Sequence, residues 1–590
     1  MLRTRTCLAT LACVVASSVS PSLAQQPAAK SLSGVPSLYA GGDILTMRGP
    51  TPEYVDCLVV KDGRILFAGK RTEGEQLAGA GSNRIDLRGK TMLPGFIDTH
   101  GHFVVFGKNL VDANLFGCTD MADLISRMKK QLERVPADAW IVGFGYQPRG
   151  MKEKRTPTSE DLDLVSADRP VMIVDSSGHL GSGNAALFKI AGISSETPDP
   201  TGGVFARKAD GKSLLGPMEE TALNAVRRNR PPFTGELAAR TITGAAEAWA
   251  SHGQTTAMEA GLGLGTDDID IVLNAIDKQL LPIDLYVAAK DSALDDTLAA
   301  AYSVGSQYSK DAGGVVEKLR AARPDLDNRY INRVRLGGVK FWLDGSIDTA
   351  WFTQPYTSPP LGKNPGFSGY RQIPDEVLDS VFDKYWATEL QIHMHMNGDA
   401  AADQALTAIA KAVKKHGMRD HRPVFVHASW IRPDQIGLMK QYGAIPTFLT
   451  AGIVPGGDSV VQLWGPERSA SAMASRTFLR SGLPFTYSHD SPITPTPSIL
   501  ALVDAGVNRM SGSGKVVGPD ERISPYDALR AVTATASFQL KEEKSKGTLE
   551  PGKLADLVIL SENPLKVEPT SIKSILVLET IKEGKTIFVR

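Results

Sequence analysis

The chain has 590 residues, of which 42% are hydrophobic and 22% charged, with Lys+Arg and Asp+Glu balanced at 65 each. That length suits two domains or one large barrel with attachments, and the composition excludes widespread disorder. A formal net charge of zero argues against a nucleic-acid partner, which calls for a basic surface.

The N-terminal "MLRTRTCLATLACVVASSVSPSLAQQ" carries Arg3 and Arg5, then a short apolar stretch, then small Ala24 before Gln25. That is the three-part layout of a secretory signal. A membrane anchor needs about 20 unbroken apolar residues, and this stretch is shorter and contains serines. Residues 1–24 are therefore expected to be removed, leaving a periplasmic or secreted protein without membrane attachment. Of the four cysteines, Cys7 and Cys13 fall in the signal. Spacing does not decide whether Cys57 and Cys118 pair.

Residues 36–92 give short strand-like runs, "CLVVKDGRILFAG" and "NRIDLRGKTML", with Asp62-Gly63 as a hairpin signal. The C-terminal "ADLVILS" and "SILVLETIKEGKTIFVR", turning at Glu583-Gly584, have the same texture. One small sheet domain built from both termini, residues 25–92 and 541–590, is expected.

Between them, residues 93–540 alternate short apolar runs with helical stretches such as "DEVLDSVFDKYWATEL" and "AADQALTAIAKAVKKHG", the pattern of βα units on a parallel sheet. The strand candidates are 95–102, 254–261, 283–290, 335–345, 391–399, 423–429, 444–450 and 484–490. Eight is the count of a TIM-type barrel. The gap at about 107–240 reads as an insertion with its own strands, "WIVGFGY" and "PVMIVDSSGH". "GLGLGT" (261–266) lacks a following Lys-Ser/Thr and reads as a barrel loop, not a phosphate cradle.

His100 and His102 close the first strand, and a two-residue period turns both to one side. Alone they could be satisfied core histidines. A second His-x-His pair, His393 and His395, occurs in a chain of ten histidines, and Lys340, His427 and Asp490 end further strands. Polar groups seldom end buried strands without partners. A metal site at the barrel's C-terminal mouth accounts for them together. Trp342, Trp351, Phe352 and Tyr146 are open between lining an apolar pocket and packing in the core.

In this order the motifs resemble the amidohydrolase superfamily, and within it the YtcJ-like "amidohydrolase 3" group that includes N-substituted formamide deformylases. The segments that carry the likeness are "LPGFIDTHGH", "VKFWLDGSID", "HMNGDAA", "FVHAS", "SHDSPI" and the closing "KGTLEPGKLADLVIL". The long "PTSEDLDLVSADRPVMIVDSSGHLGSGNAALFKIAGI" resembles the group's insertion. The resemblance implies an α/β fold: a (β/α)8 TIM-type barrel, a β-sandwich from both termini, and an insertion after the first barrel strand.

It further implies that His100 and His102 hold one divalent metal. Lys340, carboxylated by carbon dioxide, would bridge to a second metal on His395 and His427, and Asp490 would bind metal or the attacking water. Members differ in metal number, so one or two ions, zinc by preference, are expected. His393 is left a supporting or structural role. His179 in "DSSGHLG" and Glu220 in "LGPMEETA" match group motifs and, with Trp342, are expected to contact substrate. Their competing readings are a loop histidine and a solvated helix face. Asp98 shares the parity of His100 and His102, and is open between bracing a bound histidine and a structural role.

Coordination lowers the pKa of water from 15.7 to about 7, and Asp490 is placed to move its proton to a leaving nitrogen. The expected activity is metal-dependent hydrolysis of a non-peptide or N-acyl/N-formyl C–N bond in a small molecule. Deamination of a cyclic amidine-like substrate and a catalytically retired binding or regulatory protein are the alternatives, and a homo-oligomer is left open.

Overall fold

The computed structural model describes residues 34–200, 202–265, 267–290, 330–388 and 390–590. The expected signal segment lies outside them.

The N-terminal strands are β1 (Ser37–Leu45), β2 (Tyr54–Lys61), β3 (Arg64–Gly69), β4 (Asn83–Asp86), β5 (Thr91–Pro94) and β6 (Phe96–Ile97). Next come β7 (Ala113–Asn114), β8 (Ile141–Tyr146), β9 (Val171–Asp175), β10 (Leu180–Gly183), β11 (Gly203–Arg207) and β12 (Leu214–Glu220). The central set is β13 (Gln254–Leu262), β14 (Asp284–Lys290), β15 (Val334–Trp342), β16 (Gln391–Met396), β17 (Val424–His427), β18 (Ile445–Phe448) and β19 (Thr486–Tyr487). The chain ends with β20 (Leu557–Leu560), β21 (Val577–Lys582) and β22 (Lys585–Val589).

Both termini share one sheet, ordered β22-β21-β20-β5-β1-β2-β3 with β4 on β1. Its tightest hairpins turn where expected. Asp62 and Gly63 have φ of 49° and 78°, and Glu583 and Gly584 of 49° and 74°. Paired positive φ is the mirror-image turn that matches strand twist. β20 runs antiparallel to β5, with Leu557 opposite Pro94 and Ile559 opposite Met92. Ile44, Leu58, Met92, Leu557 and Ile559 pack together beneath this sheet.

Eight strands form a second sheet, ordered β19-β18-β17-β16-β15-β14-β13-β6, and every pairing in it is parallel. β13, β16 and β17 are buried along their whole length, as strands covered on both faces are. The helix Asp399–His416 packs Ala401, Ala402, Ala405 and Ile409 inward. Lys414, Lys415 and His416 sit in its last turn, where cations suit the helix dipole. Past β6 and β19 the chain remains joined: Asp490 N–H donates to His100 O at 3.0 Å and His102 N–H to Ser491 O at 2.8 Å. The first and last strands thus meet at the end of the sheet where the candidate residues lie.

The third sheet, β11-β12-β10-β9-β8-β7, comes from the insertion. Its β8 and β9 are buried on both faces: Ile141, Val171 and Ile173 pack one way, Val142, Phe144, Met172 and Val174 the other. Cys57 and Cys118 are both buried and unbonded. No helix of the described residues is long and apolar enough to cross a membrane.

Candidate metal centre

The strand expected over 95–102 stops at Ile97, and that over 484–490 at Tyr487. His100 therefore stands in a turn, and His102 is the residue that leads into the helix Phe103–Asn109. The imidazoles still converge, but the loop after β6 brings them together, not strand alternation. Two of the other residues are held in unusual backbone: His427 has φ of 68° and Asp490 of 53°. Left-handed conformations are uncommon for residues with a Cβ and gather at functional sites.

His100 Nε2 and His102 Nε2 each lie 3.3 Å from Asp490 Oδ1, and neither contact has hydrogen-bond geometry, so Oδ1 is buried without a partner. One ligand atom from each of the three lies within 4.8 Å of the others. His427 Nε2 is 3.7 Å from Asp490 Oδ2, and Lys340 Nζ is 3.4 Å from His100 Nε2. The rings of His395 and His427 are 4.7 Å apart. An unsatisfied buried carboxylate oxygen is costly, and two imidazole nitrogens with a carboxylate are a donor set suited to a divalent cation. The residues present fit such an ion.

Burial holds the His100 and His395 imidazoles well below their usual pKa, aided by Lys340 at His100 and by His427 at His395. Burial takes His427 down to about 4. All three are therefore neutral at pH 7, the form that has a lone pair to give. Burial also lowers Lys340 from 10.5 to about 7.

His393, although two residues from His395, is directed away from the cluster: its Nε2 meets Gln391 Oε1 at 3.1 Å, and its ring lies 5.9 Å from Tyr286. Asp98 supports backbone. Its Oδ1 accepts His100 N–H at 3.0 Å, and its Oδ2 accepts Trp249 Nε1–H at 3.2 Å. It touches no imidazole of the cluster; the ring near it is His489, at 3.5 Å.

Sequence reasoning missed Asp344, which continues the two-residue step from Lys340 through Trp342. Its buried carboxylate accepts the N–H groups of Trp351, Asn397 and Gly398 at 2.8–3.0 Å and lies 3.6 Å from His395 Nε2. Burial raises its pKa to about 7.

A cavity of about 320 Å³ opens onto the cluster, with His102, His395, His427 and Asp490 in its wall. His179, Glu220 and Trp342 line it too. Glu220 is buried, not on a solvated face, and takes φ 53°, ψ −117° where β12 becomes a helix. Its Oε2 is 2.7 Å from His179 Nδ1. Burial lowers the His179 pKa, but Glu220 outweighs it and raises the imidazole to about 9. His179 is thus a cation at neutral pH, paired on Nδ1.

Of the other aromatic candidates, Tyr146 and Phe352 are buried in side clusters and Trp351 packs against the main core. The apolar wall comes instead from Val142, Phe144, Met172 and Val174 of the insertion. The glycine loop after β13 contributes Leu264 and Gly265.

A sequence profile described as "Amidohydrolase family" matches residues 84–588. The chain is 24% identical over 564 residues to the putative amidohydrolase YtcJ of Bacillus subtilis (strain 168), spanning 94% of this chain and 99% of that one. It is 25% identical over 539 residues to the N-substituted formamide deformylase of Arthrobacter pascens, spanning 89% and 94%. Among solved structures, an uncharacterized metal-dependent hydrolase from Pyrococcus furiosus shares 27% identity with a TM-score of 0.67, covering 90% of this chain and 100% of that one.

Proposed function

Since this chain belongs to the amidohydrolase family and is a hydrolase, we propose that it is metal-dependent and cleaves an N-acyl or N-formyl C–N bond of a small molecule. The parallel sheet then serves as a (β/α)8 barrel, flanked by the sandwich of both termini and the insertion. The observation that carries the proposal is the convergence of His100, His102 and Asp490 within 4.8 Å of one another, with His102 and Asp490 in the wall of a cavity. Likeness to the formamide deformylase supports the choice of bond.

His100, His102 and Asp490 hold one divalent ion, for which their nitrogen and oxygen donors favour zinc. Bound there, such an ion supplies Lewis acidity towards a carbonyl and towards water. His395 donates its Nε2–H to Gly345 O at 3.1 Å, which leaves its lone pair on Nδ1. With His427 it forms a second donor pair, completed when Lys340 adds carbon dioxide at Nζ and releases a proton. Asp490 takes the proton of the attacking water and passes it to the leaving nitrogen, which departs poorly as an anion. Protonated His179, with Nδ1 held by Glu220, donates from Nε2 to the oxygen on which charge develops. We also propose that residues 1–24 direct export, so that the mature protein begins at Gln25.

The test is metal content by elemental analysis for wild type and His100→Ala, with amine release from N-formyl and N-acyl amines. About one or two zinc ions per chain, lost together with amine release in the variant, is the expected result. Full turnover by a metal-free chain refutes it. N-terminal sequencing of exported protein checks the cut before Gln25.

A further inference from the structure

The cavity is charged as well as apolar, and its ionised groups are not all paired. Lys108 bridges Asp267 and Asp268 at 2.5 and 2.6 Å. Arg230 grips Asp112 through two bonds of 2.9 and 2.6 Å, and Glu220 holds His179. Arg227 also lines this cavity, and among the described residues no carboxylate or carbonyl accepts from its guanidinium. The carboxylate whose field favours it is Asp175, and that group is already engaged by Ser177 Oγ–H at 2.8 Å and Leu180 N–H at 3.1 Å.

Arg227 is enclosed: burial pulls its pKa from 12.5 to about 10. Yet the side chain keeps accessible surface, and that surface faces the cavity. Desolvating a guanidinium without a partner is unfavourable, and its planar fork matches a carboxylate in two parallel hydrogen bonds.

Its placement adds a length. Arg227 ends the helix Thr221–Arg227, and Thr221, Asn224 and Arg227, spaced three apart, all line the cavity. Glu220 stands at the other end, beside His179. At a rise of 1.5 Å per residue the two ends are roughly 10 Å apart.

On the reading of this cavity as the hydrolytic site, we propose that Arg227 binds a carboxylate at the far end of the substrate. The favoured substrates are then acylated or formylated amines whose apolar body ends in a carboxylate several bonds from the amide. Val142, Phe144, Met172 and Val174 supply the apolar wall for that body.

The test uses the metal-loaded full-length mature protein and two measurements. Calorimetry compares binding of hexanoate with 1-hexanol, and kinetics compare N-formyl-6-aminohexanoate with N-formylhexylamine. Wild type is expected to favour the acid by about 10- to 100-fold in each, the range of a charge-assisted pair. Arg227→Met is expected to remove that ratio. Arg227→Lys, which keeps the charge but not the fork, keeps part of it and guards against a misfolded Met variant. Equal binding of hexanoate and 1-hexanol by wild type overturns the inference. So does a preference that survives in Arg227→Met, since the carboxylate then binds elsewhere. An Arg227-dependent preference in binding, with neither formamide turned over, upholds this inference and counts against the amide reading. Turnover of both without preference does the reverse.

Discussion

Replacing Glu220 by Gln removes a charge and almost no volume, and its effect on His179 follows from the geometry. The pair is 2.7 Å apart, with side chains 18% and 8% exposed. Unit charges at that distance attract by about 6 kcal/mol at an effective dielectric near 20. Burial opposes ionisation, and the net effect is a rise from 6.5 to about 9. That rise amounts to roughly 3 kcal/mol. With the carboxylate gone, burial dominates and the His179 pKa is expected at or below 6.5.

The sign follows from linkage. A raised folded-state pKa contributes stability that is fully present below pH 6.5 and is lost as pH rises through about 9. Wild type should therefore exceed Glu220→Gln in stability most at pH 6, and the gap should narrow by pH 10. The assay is an NMR titration of selectively labelled imidazoles in metal-free protein, with His179 assigned by His179→Gln. Urea denaturation at the two pH values accompanies it. A His179 pKa near 6.5 in wild type, or still near 9 in Glu220→Gln, refutes the reasoning.

Three further outcomes are expected. Asp490→Asn should lower kcat by about 10²–10⁴, the usual weight of a proton-moving group; unchanged turnover at saturating substrate rules that role out. Asp344→Asn sets an amide NH2 among N–H donors that now meet carboxylate oxygens. It should loosen His395 and weaken metal binding by about 10- to 100-fold, as read by competition with a chromophoric chelator. Gly398→Ala would bring a Cβ to 1.9 Å from Trp351 O, a backbone atom that cannot swing aside. A loss of about 1–3 kcal/mol should appear in thermal melts, and an unaltered melt would show that this segment yields more easily than its packing implies.

The site was legible in part. Lys340, His395 and His427 lie within or at the end of buried strands, where a polar side chain needs a partner, so the pattern exposed them. Glu220 is singled out by its likeness to a group motif, with a solvated helix face as the competing reading; its burial and a φ of 53° speak against that face. Asp344 lay inside a motif already singled out, but its work is done on backbone N–H groups of Trp351, Asn397 and Gly398, which no spacing rule points to.

The sequence by itself determined the identity and order of the eight parallel strands, because strands buried on both faces must be near-continuous apolar runs. It determined the hairpins at Asp62-Gly63 and Glu583-Gly584 as well, because those turns need residues that tolerate positive φ. Only the tertiary structure decided where the strands stop, how the loop after Ile97 turns two imidazoles onto Asp490, and which cavity charges remain unpaired. Arg230 meets Asp112 across 118 positions of chain, and Lys108 meets Asp267 across 159. Pairing of that range is set by packing, so only the folded chain reveals that the guanidinium of Arg227 has no acceptor among the described residues.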